Sequence, residues 1–347
     1  MNFELDEDTI LLRDSIRELG KQKAEHVAGW DADRALPSAW IEELSELGLL
    51  AMRVPETDGG AGLTTLAAMA VLEELAHFSA ATAFTVAVHN VLGLGHANAS
   101  ATALVEEGVL LGFADGSATL TAVGSGDAWT LQGTVELAFG ASGAGAWVVT
   151  ATVEGAVEAF LVRRSDAVRT SRARTLGLRA ADIGSLTVEG ATATRLVSDH
   201  VRVGTDWTAA LGFLAAGIGR AALAEGTAYA KERQQFGKPI AAFQAIQWKL
   251  ADLATALDAA ELMLGIAANR EDDGRAAAVA RGTLAAVQPV TQGCSDMLQI
   301  HGGYGYTEEY AVERLYRDAR AVALYAGVRS RTKAVVAEAV AQRFSPS

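Results

Sequence analysis

The sequence predicts a mainly α-helical protein with a β domain inserted between two helical ones. Three observations lead there. Apolar residues recur at helical spacing through the N-terminal third. From about Gly112 to Val203 that pattern gives way to short β-prone runs punctuated by Gly, Asp and Ser. After Thr205 four long, alanine-rich helical patterns fill the chain. The expected divisions are an N-terminal helical domain at 1–111, a middle β domain at 112–204 and a C-terminal helical domain at 205–347.

In order along the chain, Leu5, Leu12, Ile16 and Leu19 form a first helical stripe, and Trp40, Leu44, Leu47, Leu49 and Leu50 a second. Between them and the next helix lies a Gly-rich loop, VPETDGGAGL (Val54–Leu63), for which turns are a sufficient explanation. Helical patterns resume at Thr65–His77, Ala81–Val88 and Thr102–Leu110. Strands are expected at Ala118–Val123, Ala128–Leu131, Ala146–Val153, Ala159–Val162 and Ser185–Val188, with a hairpin turn at Gly126-Asp127. Thr205-Asp206 has the chemistry to cap a helix start. Ile246, Leu250, Leu253 and Leu257 share one face of the second C-terminal helix, which ends at Glu271–Gly274, and Pro289 is expected to kink or interrupt the third.

Composition excludes several classes of function. A formal charge of −13, with no concentrated basic patch, would repel nucleic-acid phosphates. The single cysteine, Cys294, removes intrachain disulfides, Cys-based zinc sites and redox pairs. Acids at Glu4, Asp6, Glu7 and Asp8 stand where a secretory signal needs a basic region, and no apolar run approaches the ~18 residues of a membrane span. The longest, Ala209–Gly219, suits a core helix, and the expected location is cytoplasmic.

Two stretches carry most of the functional information: RQQFGKPIAAFQAIQWKLADL (Arg233–Leu253) and QIHGGYGYTEEYAVERLYRDAR (Gln299–Arg320). Both resemble signature segments of the acyl-CoA dehydrogenase family in residues and spacing, and VPETDGGAGL followed by VLEELAH is similar to that family's N-terminal pattern. The resemblance implies a helical domain, a β-barrel or sandwich and a C-terminal four-helix bundle, assembled as a dimer or tetramer. It also implies α,β-desaturation of an acyl-CoA thioester, in which a Glu carboxylate takes the α-proton and FAD takes the β-hydrogen as hydride. Arg233 matches the arginine facing the FAD pyrophosphate, where a guanidinium fork suits phosphate oxygens. Gln235 and Phe236 match flanking cofactor contacts, Phe243 and Gln244 a pair near the adenosine portion, and Gln299, Gly302 and Gly303 a Q-x-x-G-G element. In that family these residues serve the FAD of the neighbouring subunit. Taken singly, Arg233 reads equally as a helix C-cap and Gly302-Gly303 as a turn. His89, His301 and the Arg317-Asp318 pair read as packing, hydrogen-bonding and salt-bridge residues.

The elements that would hold a flavin within the same subunit are altered. The T-E-P-x-A-G-S-D loop has no counterpart in GFADGSATLTAVGSGDAW. The N-G-x-K-x-W-I-T-N pattern matches Gln132–Gly140, with Leu137 replacing the aromatic and Phe139 the hydroxyl beside the ring. The Glu of a Y-E-G element falls on Ala326, the alternative base position on Trp207, and the following cofactor-contacting run on Gly327–Ser330. Asp206, beside Trp207, is a weak substitute, because one helical residue is ~100° of rotation. The expectation is a non-catalytic subunit of a heteromeric acyl-CoA dehydrogenase, a heterotetramer in which this chain completes the FAD site of a catalytic partner that binds the acyl-CoA. Two other readings stay open: a self-sufficient homo-oligomer with a rebuilt flavin site and a relocated carboxylate base such as Asp206, and a flavin-free structural or thioester-binding protein.

Overall fold

The computed structural model describes residues 6–97, 101–126 and 128–343, so that Leu5 and Asp127 lie outside the described residues. Helix α1 (Glu7–Asp33) begins where the Asp6 carboxylate accepts the Thr9 N–H at 2.7 Å. After α2 (Ser38–Glu46), the Gly-rich loop folds back as a turn: a Cβ at Gly60 would stand 2.1 Å from the Val54 carbonyl oxygen. Helices α3 (Thr65–Phe78) and α4 (Ala80–Ala87) are capped by Thr64 and Ser79. The chain then widens into a π-helical stretch, Val88–Leu94, before α5 (Gly95–Ala97) and α6 (Ala101–Glu106). The widening has a local cause. Asn90 Nδ2 donates to the carbonyls of Val86 and Leu49 at 3.0 and 2.9 Å, and its Oδ1 accepts Met52 N at 2.9 Å. His89 Nε2 donates to Leu50 O at 2.7 Å while Nδ1 accepts Leu111 N at 2.9 Å.

The β domain comprises β1 (Leu111–Asp115), β2 (Leu120–Ser125), β3 (Ala128–Phe139), β4 (Ala146–Val153), β5 (Ala156–Arg163), β6 (Val168–Arg172) and β7 (Ile183–Leu196). β1 pairs with both β3 and β4, and β3, β7, β5 and β4 pair in succession, which closes the sheet into a barrel. Leu131, Trp147, Val149, Phe160, Leu186 and Val188 fill it. Strands β1 and β6 were not among the expected ones. β6 (VRTSR) pairs only with β7 at the rim and is mostly exposed, so its sequence carries no apolar alternation.

Helix α7 (His200–Glu232) starts earlier than Thr205-Asp206 suggested, because the Asp199 carboxylate accepts Arg202 N at 2.9 Å and Asp206 is already helical and buried. It is long and apolar enough to cross a membrane, yet 78% of its apolar window is buried inside the protein. The short hairpin of β8 (Gln234–Gln235) and β9 (Lys238–Pro239) leads to α8 (Gln244–Ala268), α9 (Arg275–Ile300), α10 (Val312–Tyr325) and α11 (Arg331–Arg343). α9 runs unbroken through Pro289, so of the expected kink or interruption the interruption does not occur, and buried Ala286, Val287 and Val290 pack around the missing hydrogen bond. Arg317 ties α10 to α1 and the β domain: its guanidinium meets Asp31 Oδ2 at 2.7 Å, Glu313 Oε2 at 2.7 Å and Leu176 O at 3.1 Å. Burial pushes the adjacent Asp318 carboxyl up to about 6, although it accepts Leu178 N at 2.6 Å.

Candidate functional site

The end of α7 and the β8–β9 hairpin form one wall of an open concavity. Arg233 caps α7 through its N–H to Tyr229 O (2.9 Å), and its carbonyl accepts Ile240 N (2.8 Å), which folds the hairpin beneath it. Phe236 and Gly237 turn the hairpin with φ of 52° and 79°. That backbone is unfavourable for a bulky residue, and the Phe236 ring is 92% exposed. A strained, solvent-facing phenylalanine is the kind of local cost that function sustains. Lys238 Nζ lies 4.5 Å above the ring of Phe243, which meets Phe236 edge-on at 6.2 Å.

The opposite wall comes from the end of α9. Gly302, at φ 58°, and Gly303 each have nothing within 4 Å of where a Cβ would be, so their backbone is open to a ligand. Arg233, Gln235, Gly302 and Gly303 thus surround one cavity of about 460 Å³, with Tyr229, His301 and Tyr304 as further walls. Tyr229 stacks on His301 at 4.2 Å, which fixes the floor. Phe236, Phe243 and Gln244 lie on the adjoining hairpin and helix start, and Gln299 is exposed on the last turn of α9; none of the four lines the cavity. Tyr229 and Tyr304 were missed in the sequence. The legible signal was Tyr229, one turn before Arg233 on the same helix face.

Two of the altered positions, Phe139 and Trp207, converge elsewhere. Phe139 at the end of β3, Trp207 on α7 and Tyr325 at the end of α10 meet around Phe84 of α4. Phe84 lies 5.1 Å from Phe139, 5.5 Å from Trp207 and 5.4 Å from Tyr325 between ring centroids, and Phe139 lies 5.9 Å from Trp207. Ala326, 1% exposed, follows directly. This aromatic plug holds no carboxylate, and burial raises the Tyr325 hydroxyl's pKa above its ordinary value. Neighbouring Leu137 is half-exposed and takes no part in the plug. A flavin ring does not fit where these four rings pack; the Gly302-Gly303 cradle beside Arg233 fits a phosphate-bearing cofactor.

Asp206 points away from the plug. Its carboxylate, 2% exposed, binds Arg53 Nη1 and Arg275 Nη2 at 2.6 Å each and stands 3.6 Å from Arg202 Nη1. Three guanidinium groups surround it and occupy both of its oxygens, joining the N-terminal helices to α7 and α9.

The family profile "Acyl-CoA dehydrogenase, N-terminal domain" matches residues 6–117 and "Acyl-CoA dehydrogenase, C-terminal domain" matches residues 208–341. The short-chain specific acyl-CoA dehydrogenase of Bos taurus mitochondria is 33% identical over 97% of this chain and 90% of its own length. Butyryl-CoA dehydrogenase from Megasphaera elsdenii superposes with a TM-score of 0.90 at 25% identity, covering 98% of this chain and 100% of that one. A chain solved in work on the electron-transferring flavoprotein of Acidaminococcus fermentans gives 0.92 at 25% identity, covering 98% and 99%. With both helical ends matched by family profiles and near-full-length relatives at this identity, the chain belongs to the acyl-CoA dehydrogenase family, whose members bind FAD.

Proposed function

We propose that this chain is a non-catalytic subunit of a heteromeric acyl-CoA dehydrogenase, completing the FAD site of a catalytic partner chain. One observation carries the reading: Phe139 and Trp207, two positions that would serve this chain's own flavin, are packed with Phe84 and Tyr325 into a plug, whereas Arg233, Gln235, Gly302 and Gly303, which would serve a neighbour's flavin, open onto a cavity. In the assembly Arg233 pairs with phosphate oxygens, the Gly302-Gly303 backbone admits the cofactor closely, and Gln235 hydrogen-bonds beside them. The partner supplies the carboxylate base, the loop around the flavin ring and the acyl pocket. We take the assembly to be a cytoplasmic heterotetramer with FAD at half its positions, built from chains divided at about 111 and 204.

The self-sufficient alternative needs a base, and Asp206 already binds arginines outside the plug. The test is purification alone and together with a catalytic acyl-CoA dehydrogenase chain carrying Y-E-G and encoded beside it. The expected result is a colourless protein alone and a yellow complex with one FAD per two chains. FAD absorbance in the chain purified alone would sink the proposal, and failure of every such partner to restore flavin would favour a flavin-free role.

A further inference from the structure

A second cavity, of about 430 Å³, lies between α3, α7 and α8 and shares no residue with the Arg233 cavity or the aromatic plug. Two adjacent glutamates of α3 are treated differently there. Glu74 is held by three guanidinium groups: it accepts Arg17 Nε at 3.1 Å, Arg13 Nη2 at 3.3 Å and Arg220 Nη2 at 3.3 Å. Glu73, 3% exposed, lines the cavity, and its buried Oε1 receives no hydrogen bond among the described residues. Arg220 Nε lies 2.9 Å from that oxygen and 3.7 Å from Glu261 Oε1, but it too makes no hydrogen bond. Burial pushes the Glu73 carboxyl up, Arg220 offsets part of the rise, and the Glu261 carboxylate adds to it. Asp258, on the same wall of α8 as Glu261, has no hydrogen bond or ion pair among the described residues. Three carboxylates thus border the cavity against one cation, Arg13, which already pairs with Glu74.

The helix order separates a charged end from an apolar body. Along α8, Asp258 and Glu261 stand one turn apart, Leu262 and Gly265 follow, and Asn269 closes the wall about 12 Å beyond Glu261. On α3, Ala70 and Leu66 lie one and two turns before Glu73, and Phe213 of α7 completes the apolar lining. We propose that this cavity binds a primary alkylammonium, its head among Glu73, Asp258 and Glu261 and its chain along Ala70, Phe213 and Leu262. An ammonium carries three donors, enough for three carboxylates, and would give Glu73 the hydrogen bond it lacks. A bare metal ion suits the site less, because no three His, Cys, Asp or Glu side chains among the described residues are grouped to ligate one. The site is independent of flavin, and its occupancy does not rest on the heteromer.

The test is calorimetric titration of the full chain with hexylamine, hexanol and hexanoate at neutral pH. Hexylamine is expected to bind at one site per chain, more tightly than hexanol, and hexanoate least. Glu261→Gln, at a side chain 39% exposed, is expected to weaken hexylamine about 10-fold, the size of one charge-assisted contact, and to leave hexanol unchanged. Gly265→Phe tests the apolar body: a Cβ there meets nothing within 4 Å, so the ring enters open space and is expected to abolish binding of both. No hexylamine binding, equal binding of hexanoate, or hexylamine affinity unaffected by either substitution each overturns the proposal.

Discussion

Phe139 and Tyr325 meet edge-on, their ring centroids 5.3 Å apart at an interplanar angle of 81°. The first occupies the strand position of a flavin-facing hydroxyl in the family pattern, and the second immediately precedes the position of the missing base. Their contact joins β3 to the end of α10 through apolar surface.

Restoring a carboxylate at Ala326→Glu therefore gives a defined outcome. The new group enters a site 1% exposed with no cationic partner in the plug, and a desolvation shift of about 2 pKa units corresponds to ~3 kcal/mol of lost stability at neutral pH. Urea denaturation should report that loss, and the isolated variant should show no acyl-CoA desaturation. Measurable turnover would refute the account of the plug.

Arg233→Ala acts on the opposite surface. The side chain is exposed, so the thermal midpoint of the isolated chain should stay unchanged. Flavin retention by the heteromer should weaken by ~1.5–3 kcal/mol, roughly 10- to 150-fold in affinity, the range for a hydrogen bond to a charged group. Equal flavin content in variant and parent complexes would remove the reason for assigning this cavity to FAD.

Asp206→Ala separates an ionic tie from a catalytic base. Arg53, Arg202 and Arg275 would lose their shared anion, at a cost of about 3–5 kcal/mol. Asp206→Asn keeps the volume and should cost less. If the Asn variant folds and forms the complex, its desaturation rate should match the parent's; a collapse of kcat with intact assembly would point to the homo-oligomer reading.

His89 predicts a pH response. Both ring nitrogens are engaged, and burial holds its pKa down to about 4. The folded value lies below the unfolded one near 6.5, so the stability it contributes is present above pH 6.5 and is lost as pH falls toward 4. The full effect is about 3 kcal/mol. Asp318 and Glu73, raised to about 6 and about 7, have the opposite sign: their contributions are present at low pH and fade as pH rises. The difference between the parent and His89→Gln isolates the histidine. Identical slopes of unfolding free energy between pH 6.5 and 4.5 would contradict the assignment.

Much of the fold was legible because local rules agreed with the global arrangement. Apolar spacing placed α3, α4 and the long C-terminal helices, and Gly, Asp and Ser punctuation placed five of the strands. β1 and β6 escaped, the latter because an exposed rim strand needs no apolar face. Pro289 does not interrupt α9, because a packed helix interior tolerates a missing hydrogen bond that an isolated helix would not.

The sequence alone determined which residues stand at the motif positions: Arg233, Gly302 and Gly303 kept, Leu137, Phe139, Trp207 and Ala326 changed. A motif lists side chains in order and carries no distance between segments far apart in the chain. Only the tertiary structure decided that Phe139, Trp207 and Tyr325 share one plug with Phe84, a residue no motif singled out, and that Arg233 and Gly302 face one cavity. It also turned Asp206 into a three-arginine tie, because helical rotation and the approach of α9 fix where that carboxylate points.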